Sequence, residues 1–247
     1  MYLNEYTGRG VRVAIIDSGV YAAHPHVRGV EQGIAILSDG SRDEDFIDRL
    51  GHGTAVAAAI REIAPGAALV AIKVFWRALS TNVSALVAGI DEATERGAAI
   101  INLSLGTRNP TNRPVLEAAI KRATDRGACV VAAGADADDS WLPGLIDGVI
   151  PVTLDWECPR DEYRVRSAGG RLCVAASGYP RDIPSVPRER NYKGVSFAVA
   201  NASGFLARAY EAAPGAKMAE LLTLLAAAMP PAIQERCLSN GDAIALR

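Results

Sequence analysis

Short apolar runs that alternate with longer segments of helical period constrain this chain more than any other feature. Runs of strand length lie at residues 11–16, 69–75, 98–103, 128–133, 149–154 and 172–176. They are close to continuously apolar, as strands are when helices cover both faces of a parallel sheet. Residues 54–63, 82–96, 115–126, 197–213 and 216–228 carry the spacing of amphipathic helices. Two of these segments end in the same way, at Arg96-Gly97 and Arg126-Gly127. Each pair puts a cation in the last turn and a helix stop just beyond it. The expected fold is α/β, with three layers (α/β/α) around a mostly parallel central sheet. No fixed-period repeat and no long Gly/Ser or Pro linker interrupts the pattern, so residues 1–247 are expected to form a single domain.

Composition removes several classes of function. Hydrophobic residues make up 49% and charged residues 22%, which excludes a disordered chain. A net charge of −2 leaves no basic excess for nucleic acid, and no apolar stretch is long enough to span a membrane. The start, Met1-Tyr2-Leu3-Asn4-Glu5-Tyr6, lacks the basic and apolar regions of a secretory signal, so a cytoplasmic location is expected. Cys129, Cys158, Cys173 and Cys237 form no C-x-x-C pair, and there are three histidines, so a Cys/His zinc site is not expected. In a reducing compartment the four would be buried thiols. Residues 38–50, rich in Asp, Glu and Arg, read as a solvated loop, with a calcium site as the alternative. Residues 177–193 hold three prolines amid Arg and Glu and read as an extended loop. Neither oligomeric state nor specificity is legible at this level.

Three stretches place a reactive side chain at an exposed geometry. Val13-Ala14-Ile15-Ile16-Asp17-Ser18-Gly19 is a buried strand that ends in a carboxylate, where open parallel sheets build their sites. Taken alone, Asp17 reads more readily as a cap of the following turn than as a site residue. Gly51-His52-Gly53-Thr54 opens an Ala-rich helix. A histidine there is poorly placed for stability, because the positive end of the helix disfavours imidazolium. Gly194-Val195-Ser196-Phe197-Ala198 opens another helix, with Ser196 at the cap or first turn. Ser196 is either an ordinary cap or a nucleophile whose own N–H can hold an oxyanion.

Together the three are far more specific, because they fall in the chain order Asp, His, Ser. The chain resembles the subtilisin-like serine peptidases, the subtilases, over most of its length. Asp17-Ser18-Gly19 matches the family's Asp-[Ser/Thr]-Gly motif, and Gly51-His52-Gly53-Thr54 matches its His-Gly-Thr motif. Gly194-Val195-Ser196-Phe197-Ala198 matches Gly-Thr-Ser-Met-Ala, with Val for Thr and Phe for Met. The resemblance implies a subtilisin-like fold. It also implies a triad in which Asp17 orients His52, His52 is the base and Ser196 the nucleophile. Ser104, Leu105 and Gly106 resemble the edge that pairs with an extended substrate, and Ala133 and Gly134 the wall of the pocket for the residue before the scissile bond.

On this resemblance the chemistry is acyl transfer with no metal and no cofactor, and the partner is a peptide or protein substrate. One departure bears on rate. Where the family has an Asn that completes the oxyanion hole, this chain has Ala135, followed by Asp136. Asp136, Asp138 and Asp139 form either an acidic rim that favours basic substrates or a solvated loop, and Trp141 and Pro143 either border the same pocket or cover the sheet. The expected function is a selective processing endopeptidase, for example of a precursor peptide. The alternative is an impaired member of the fold that binds peptide without cleaving it.

Overall fold

A computed structural model describes residues 2–134, 141–168 and 170–239. Among them the strands, in chain order, are β1 (Arg12–Asp17), β2 (Gln32–Ile36), β3 (Arg42–Asp43), β4 (Ala68–Lys73), β5 (Ile100–Leu103), β6 (Cys129–Ala133), β7 (Val149–Leu154), β8 (Tyr163–Ala168) and β9 (Arg171–Ala176). They form one sheet in the order β3-β2-β4-β1-β5-β6-β7-β9-β8. Every pairing from β2 to β9 is parallel, and only the outer strands β3 and β8 run antiparallel to their neighbours. β1 therefore lies inside the sheet, with β4 and β5 on either side of it.

The period of two along β1 divides its side chains between two cores. Val13 and Ile15 belong to the core that also holds Val56, Ile60, Phe205 and Leu221 of helices α1 (His52–Ile63), α4 (Val195–Ala212) and α5 (Met218–Ala228), with α1 and α4 packed on β1 itself. Ala14 and Ile16 belong to the opposite core, which also holds Leu86, Ile90, Leu116 and Ile120 of α2 (Val83–Glu95) and α3 (Arg113–Asp125), with α2 packed on β1 itself. Each of the Val, Ile, Leu and Phe side chains among them, when fully buried, contributes about 1.5–3 kcal/mol. The three-layer α/β/α architecture expected from the sequence is the one observed.

Both Arg-Gly stops behave as their chemistry requires. Gly97 and Gly127 have φ of 68° and 86°. The N–H of Ala98 reaches back to the Ala93 carbonyl at 3.1 Å, and that of Ala128 to the Ala123 carbonyl at 3.0 Å. These bonds close the last turns of α2 and α3 and aim the chain into β5 and β6.

The pattern of apolar runs missed β2, β3, β8 and a last helix, α6 (Pro231–Ser239). β8 reads Tyr-Arg-Val-Arg because only one of its faces is covered. Tyr163 and Val165 are buried, while Arg164 and Arg166 reach the Asp155 carboxylate, Arg166 at 2.7 Å. The loop expected over residues 38–50 is largely exposed, yet it contains β3, and its end does structural work at the site. Cys129, Cys158, Cys173 and Cys237 are buried, and burial raises the thiol pKa of Cys129 to about 11 and of Cys158 to about 12.

Gly127 tests the stop signal cleanly, since no atom lies within 4 Å of where a Cβ would stand. Gly127→Ala should therefore report the left-handed backbone alone and destabilise the fold by about 1 kcal/mol in urea unfolding.

Candidate active site

β1 delivers Asp17 to the carboxyl edge of the sheet, where its carboxylate is completely buried. One oxygen accepts the Ser18 N–H at 2.6 Å. Both oxygens face His52 Nδ1, at 2.8 and 2.9 Å. A carboxylate can only accept, so Nδ1 carries the proton and Nε2 remains as the base. His52 is the first residue of α1 and is 9% exposed. The approach of helix to strand depends on Gly53, where a Cβ would overlap the Gly19 carbonyl and crowd Asp17.

Burial pulls the His52 pKa down. The hydrogen bond and charge of Asp17, joined by the charge of Asp48, outweigh it, and the pKa lies above the ordinary imidazole value. Phe197, at the position where the resemblance expects Met, lays its ring 5.6 Å from the His52 ring, centre to centre.

Ser196 is the second residue of α4, in the first turn, where backbone N–H groups have no partner within the helix. It opens on the same cleft as His52, a space of about 440 Å³. Its hydroxyl donates to the Ser104 carbonyl at 3.2 Å, and Ser104 Oγ in turn lies 3.1 Å from the Ser196 carbonyl. Deeper in, Ser104 Oγ meets Asn102 Oδ1 at 3.0 Å, and Asn102 Nδ2 donates to Ser203 Oγ at 3.0 Å. These bonds fasten the end of β5 to α4 through polar atoms that are fully buried at Asn102 and Ser203.

Ser104, Leu105, Gly106 and Ala133 line this cleft, and so does Trp141. Arg108 stacks on the indole at 4.7 Å. Gly134 is buried beside the cleft wall, its N–H donating to the Val152 carbonyl at 2.7 Å. Past Gly106 the edge is already paired, since Thr107 and Leu142 exchange backbone hydrogen bonds at 2.8 and 2.9 Å. Ala135 and Asp136, and with them Asp138 and Asp139, lie outside the described residues.

No group of three His, Cys, Asp or Glu side chains among the described residues is arranged to hold a metal. In the acidic segment the carboxylates serve their own chain: Asp39 accepts from Ser41, Asp43 from the Asp45 N–H, and Asp45 pairs with Arg49. One residue of that segment, Asp48, was missed as a site residue. It accepts hydrogen bonds from Ser18 and Thr54, beside the Asp17–His52 pair. The available signal was its place just ahead of a helix start, where a carboxylate is favoured.

A buried Asp–His pair at the carboxyl edge of a parallel α/β sheet, sharing its cleft with a serine at a helix start, defines a class of hydrolase-like architecture. Comparison makes it specific: the model of the subtilase family matches residues 8–240, and the chain belongs to that family. Subtilisin DY of Bacillus licheniformis is 32% identical over 189 residues, covering 70% of this chain and 66% of the relative. The minor extracellular protease Vpr of Bacillus subtilis strain 168 is 30% identical over 198 residues, covering 72% of this chain and 24% of the relative. The chain thus spans less than two thirds of the length of either. Among solved structures, sphericase superposes with a TM-score of 0.67 at 23% identity, covering 88% of this chain and 82% of that one. A cold-adapted subtilisin-like serine proteinase gives 0.69 at 21% identity, with 88% and 81% covered. These two likenesses carry the fold.

Protonation of His52 is tighter in the folded chain than in the unfolded one. The stabilisation this gives is complete below the ordinary imidazole range and is lost as pH rises through the folded His52 pKa. Followed by NMR, His52 should titrate above the ordinary value. Asp17→Asn should move that titration to lower pH, since burial then acts with less opposition.

Proposed function

We propose that this chain is a serine endopeptidase that hydrolyses peptide bonds through Asp17, His52 and Ser196 by way of an acyl-enzyme. The observation that carries the reading is the buried Asp17–His52 pair, at 2.8 Å, sharing a cleft with a serine in the first turn of α4. In this chemistry the Ser196 hydroxyl leaves the Ser104 carbonyl and turns to His52. His52 Nε2 takes its proton as Oγ attacks the carbonyl carbon of the peptide. Negative charge then collects on the carbonyl oxygen, and the Ser196 N–H at the positive end of α4 is available to it. His52 passes the proton to the leaving amine, the C–N bond breaks, and water repeats the sequence on the ester. Asp17 holds the tautomer and stabilises the imidazolium throughout.

The substrate in this reading is an extended peptide that pairs with the Ser104–Gly106 edge. We read the task as selective processing rather than bulk digestion. Support comes from Ala135, which stands where the family has its oxyanion-hole Asn. In subtilisin itself, the case from which the figure comes, losing that donor costs about 2.7–4 kcal/mol of barrier. Slow chemistry suits a substrate that binding energy presents well.

The hydrogen bond from Ser196 Oγ to the Ser104 carbonyl favours a second reading, a peptide-binding member of the fold in which the serine is never activated. A fluorophosphonate separates the two. The peptidase reading expects one covalent adduct by intact mass in the wild type and none in Ser196→Ala. Absence of label on folded protein favours the binding module. With a cleaved peptide in hand, Ser196→Ala or His52→Ala should lower kcat by about a millionfold and Asp17→Ala by about 10⁴-fold, the pattern measured in subtilisin. Rapid cleavage of unfolded casein at many sites would refute selectivity while leaving the peptidase reading in place.

A further inference from the structure

A second carboxylate binds the two halves of the Asp–His unit together. Asp48 Oδ1 accepts from Ser18 Oγ at 2.9 Å, from the Leu50 N–H at 2.8 Å and from the Gly51 N–H at 2.9 Å. Its Oδ2 accepts from the Thr54 N–H at 2.9 Å and from Thr54 Oγ at 2.6 Å. Ser18 Oγ also accepts the Gly53 N–H at 2.9 Å.

Among these donors, the N–H groups of Gly51, Gly53 and Thr54 are ones that a helix start leaves unpaired. The N-cap of α1 is Gly51, which has no side chain to cap with. The N–H groups of Gly53 and Thr54 are taken instead by Ser18, next to Asp17, and by Asp48, four residues ahead of His52. The cap of the histidine's helix is therefore the turn that follows the aspartate's strand, joined through one carboxylate. Moving either element requires breaking a charge-assisted hydrogen bond to Asp48.

We propose that Asp48 is a positioning residue for the reaction: it locks the Asp17 turn to the start of the His52 helix and adds a second negative charge beside the imidazole. The proposal rests on the peptidase reading above. Its electrostatic half follows from what faces His52. Asp17 does so from β1, Asp48 from the segment before α1, and the uncharged ring of Phe197 from α4. Lys73, at the end of β4, is a cation nearby; its Nζ donates to the Ile47 carbonyl at 2.9 Å and lies over the Trp76 ring at 4.3 Å, and the charges of Asp43, Asp45 and Asp48 act on it together with that of Arg49, which pairs with Asp45. Burial raises the Asp48 pKa, but the hydrogen bonds from Thr54, Leu50 and Gly51 outweigh it and hold the pKa below the ordinary carboxylate value, so the group stays ionised wherever His52 titrates.

Asp48→Asn keeps the size and removes the charge. With three histidines in the chain, their NMR titrations are separable. The expected result is a His52 midpoint at lower pH than in the wild type, together with fluorophosphonate labelling of Ser196 slowed by about ten- to a hundredfold, the scale of a displaced catalytic group. A His52 midpoint that does not move overturns the proposal, whatever the labelling rate does. A wild type that labels at no pH refutes the peptidase reading instead, and is told apart because the titration needs no turnover. If Asp48→Asn does not fold, Thr54→Ala takes over, since it removes one hydroxyl donor and leaves the charge. Slower labelling in that folded variant supports the clamp, and an unchanged rate overturns it.

Discussion

The structure depends on satisfying one carboxylate that is fully buried. Asp17 has no exposed surface, and an isolated carboxylate in such a place is costly by several kcal/mol. The cost is offset locally by the Ser18 N–H and by a histidine that presents one nitrogen to both oxygens. The arrangement fixes the imidazole in one tautomer and one orientation, and it needs strand, turn and helix to meet within about 0.5 Å of that geometry. The packing around the site follows from that requirement. Glycine at position 53 lets α1 approach Asp17, and β1 is paired on both sides, by β4 and β5.

The serine arrives by a different route. α4 is long and apolar, and it packs beside α1 on the same face of the sheet. Its start is fastened to the end of β5 by Asn102, Ser104 and Ser203. β5 is the direct neighbour of β1. Asp17 and Ser196 thus come from distant parts of the chain but are referred to two adjacent strands, and any shear between those strands would show directly in the geometry of the cleft. Ser196 Oγ is bonded to the Ser104 carbonyl, on the edge where the proposed reading seats a peptide. On the proposed chemistry, backbone pairing of the substrate competes with that bond and frees the hydroxyl for His52.

Much of this was legible from residue order because the relevant signals are local. Strand-length apolar runs gave the parallel sheet, the two Arg-Gly stops marked the turns into β5 and β6, and glycines around His52 marked a close approach. β8 escaped because its alternation of Tyr163 and Val165 with Arg164 and Arg166 is set by tertiary cover on one face. β2 escaped because Gln32-Gly33 opens it with no apolar side chain. Asp48 was hidden for another reason. In a run of Asp, Glu and Arg, one ordered carboxylate cannot be told from its solvated neighbours until the donors that surround it are known, and those donors are backbone groups of a helix start.

The departures from the family pattern act on different parts of the barrier. On the proposed chemistry, Ala135 in place of the family's oxyanion-hole Asn would remove stabilisation of the developing charge, whereas Asp17 and Asp48 would both favour the imidazolium that forms in the same step. Strengthening one end of the proton transfer does not replace a donor at the other, because the charge on the substrate oxygen and the charge on His52 are solvated by separate groups. On the proposed chemistry the deficit has to be met by the substrate, through pairing along Ser104–Gly106 and contacts with Trp141 that tighten as the carbonyl carbon becomes tetrahedral. Only a peptide that makes those contacts in register would react at a useful rate, which makes selectivity a consequence of the weakened hole.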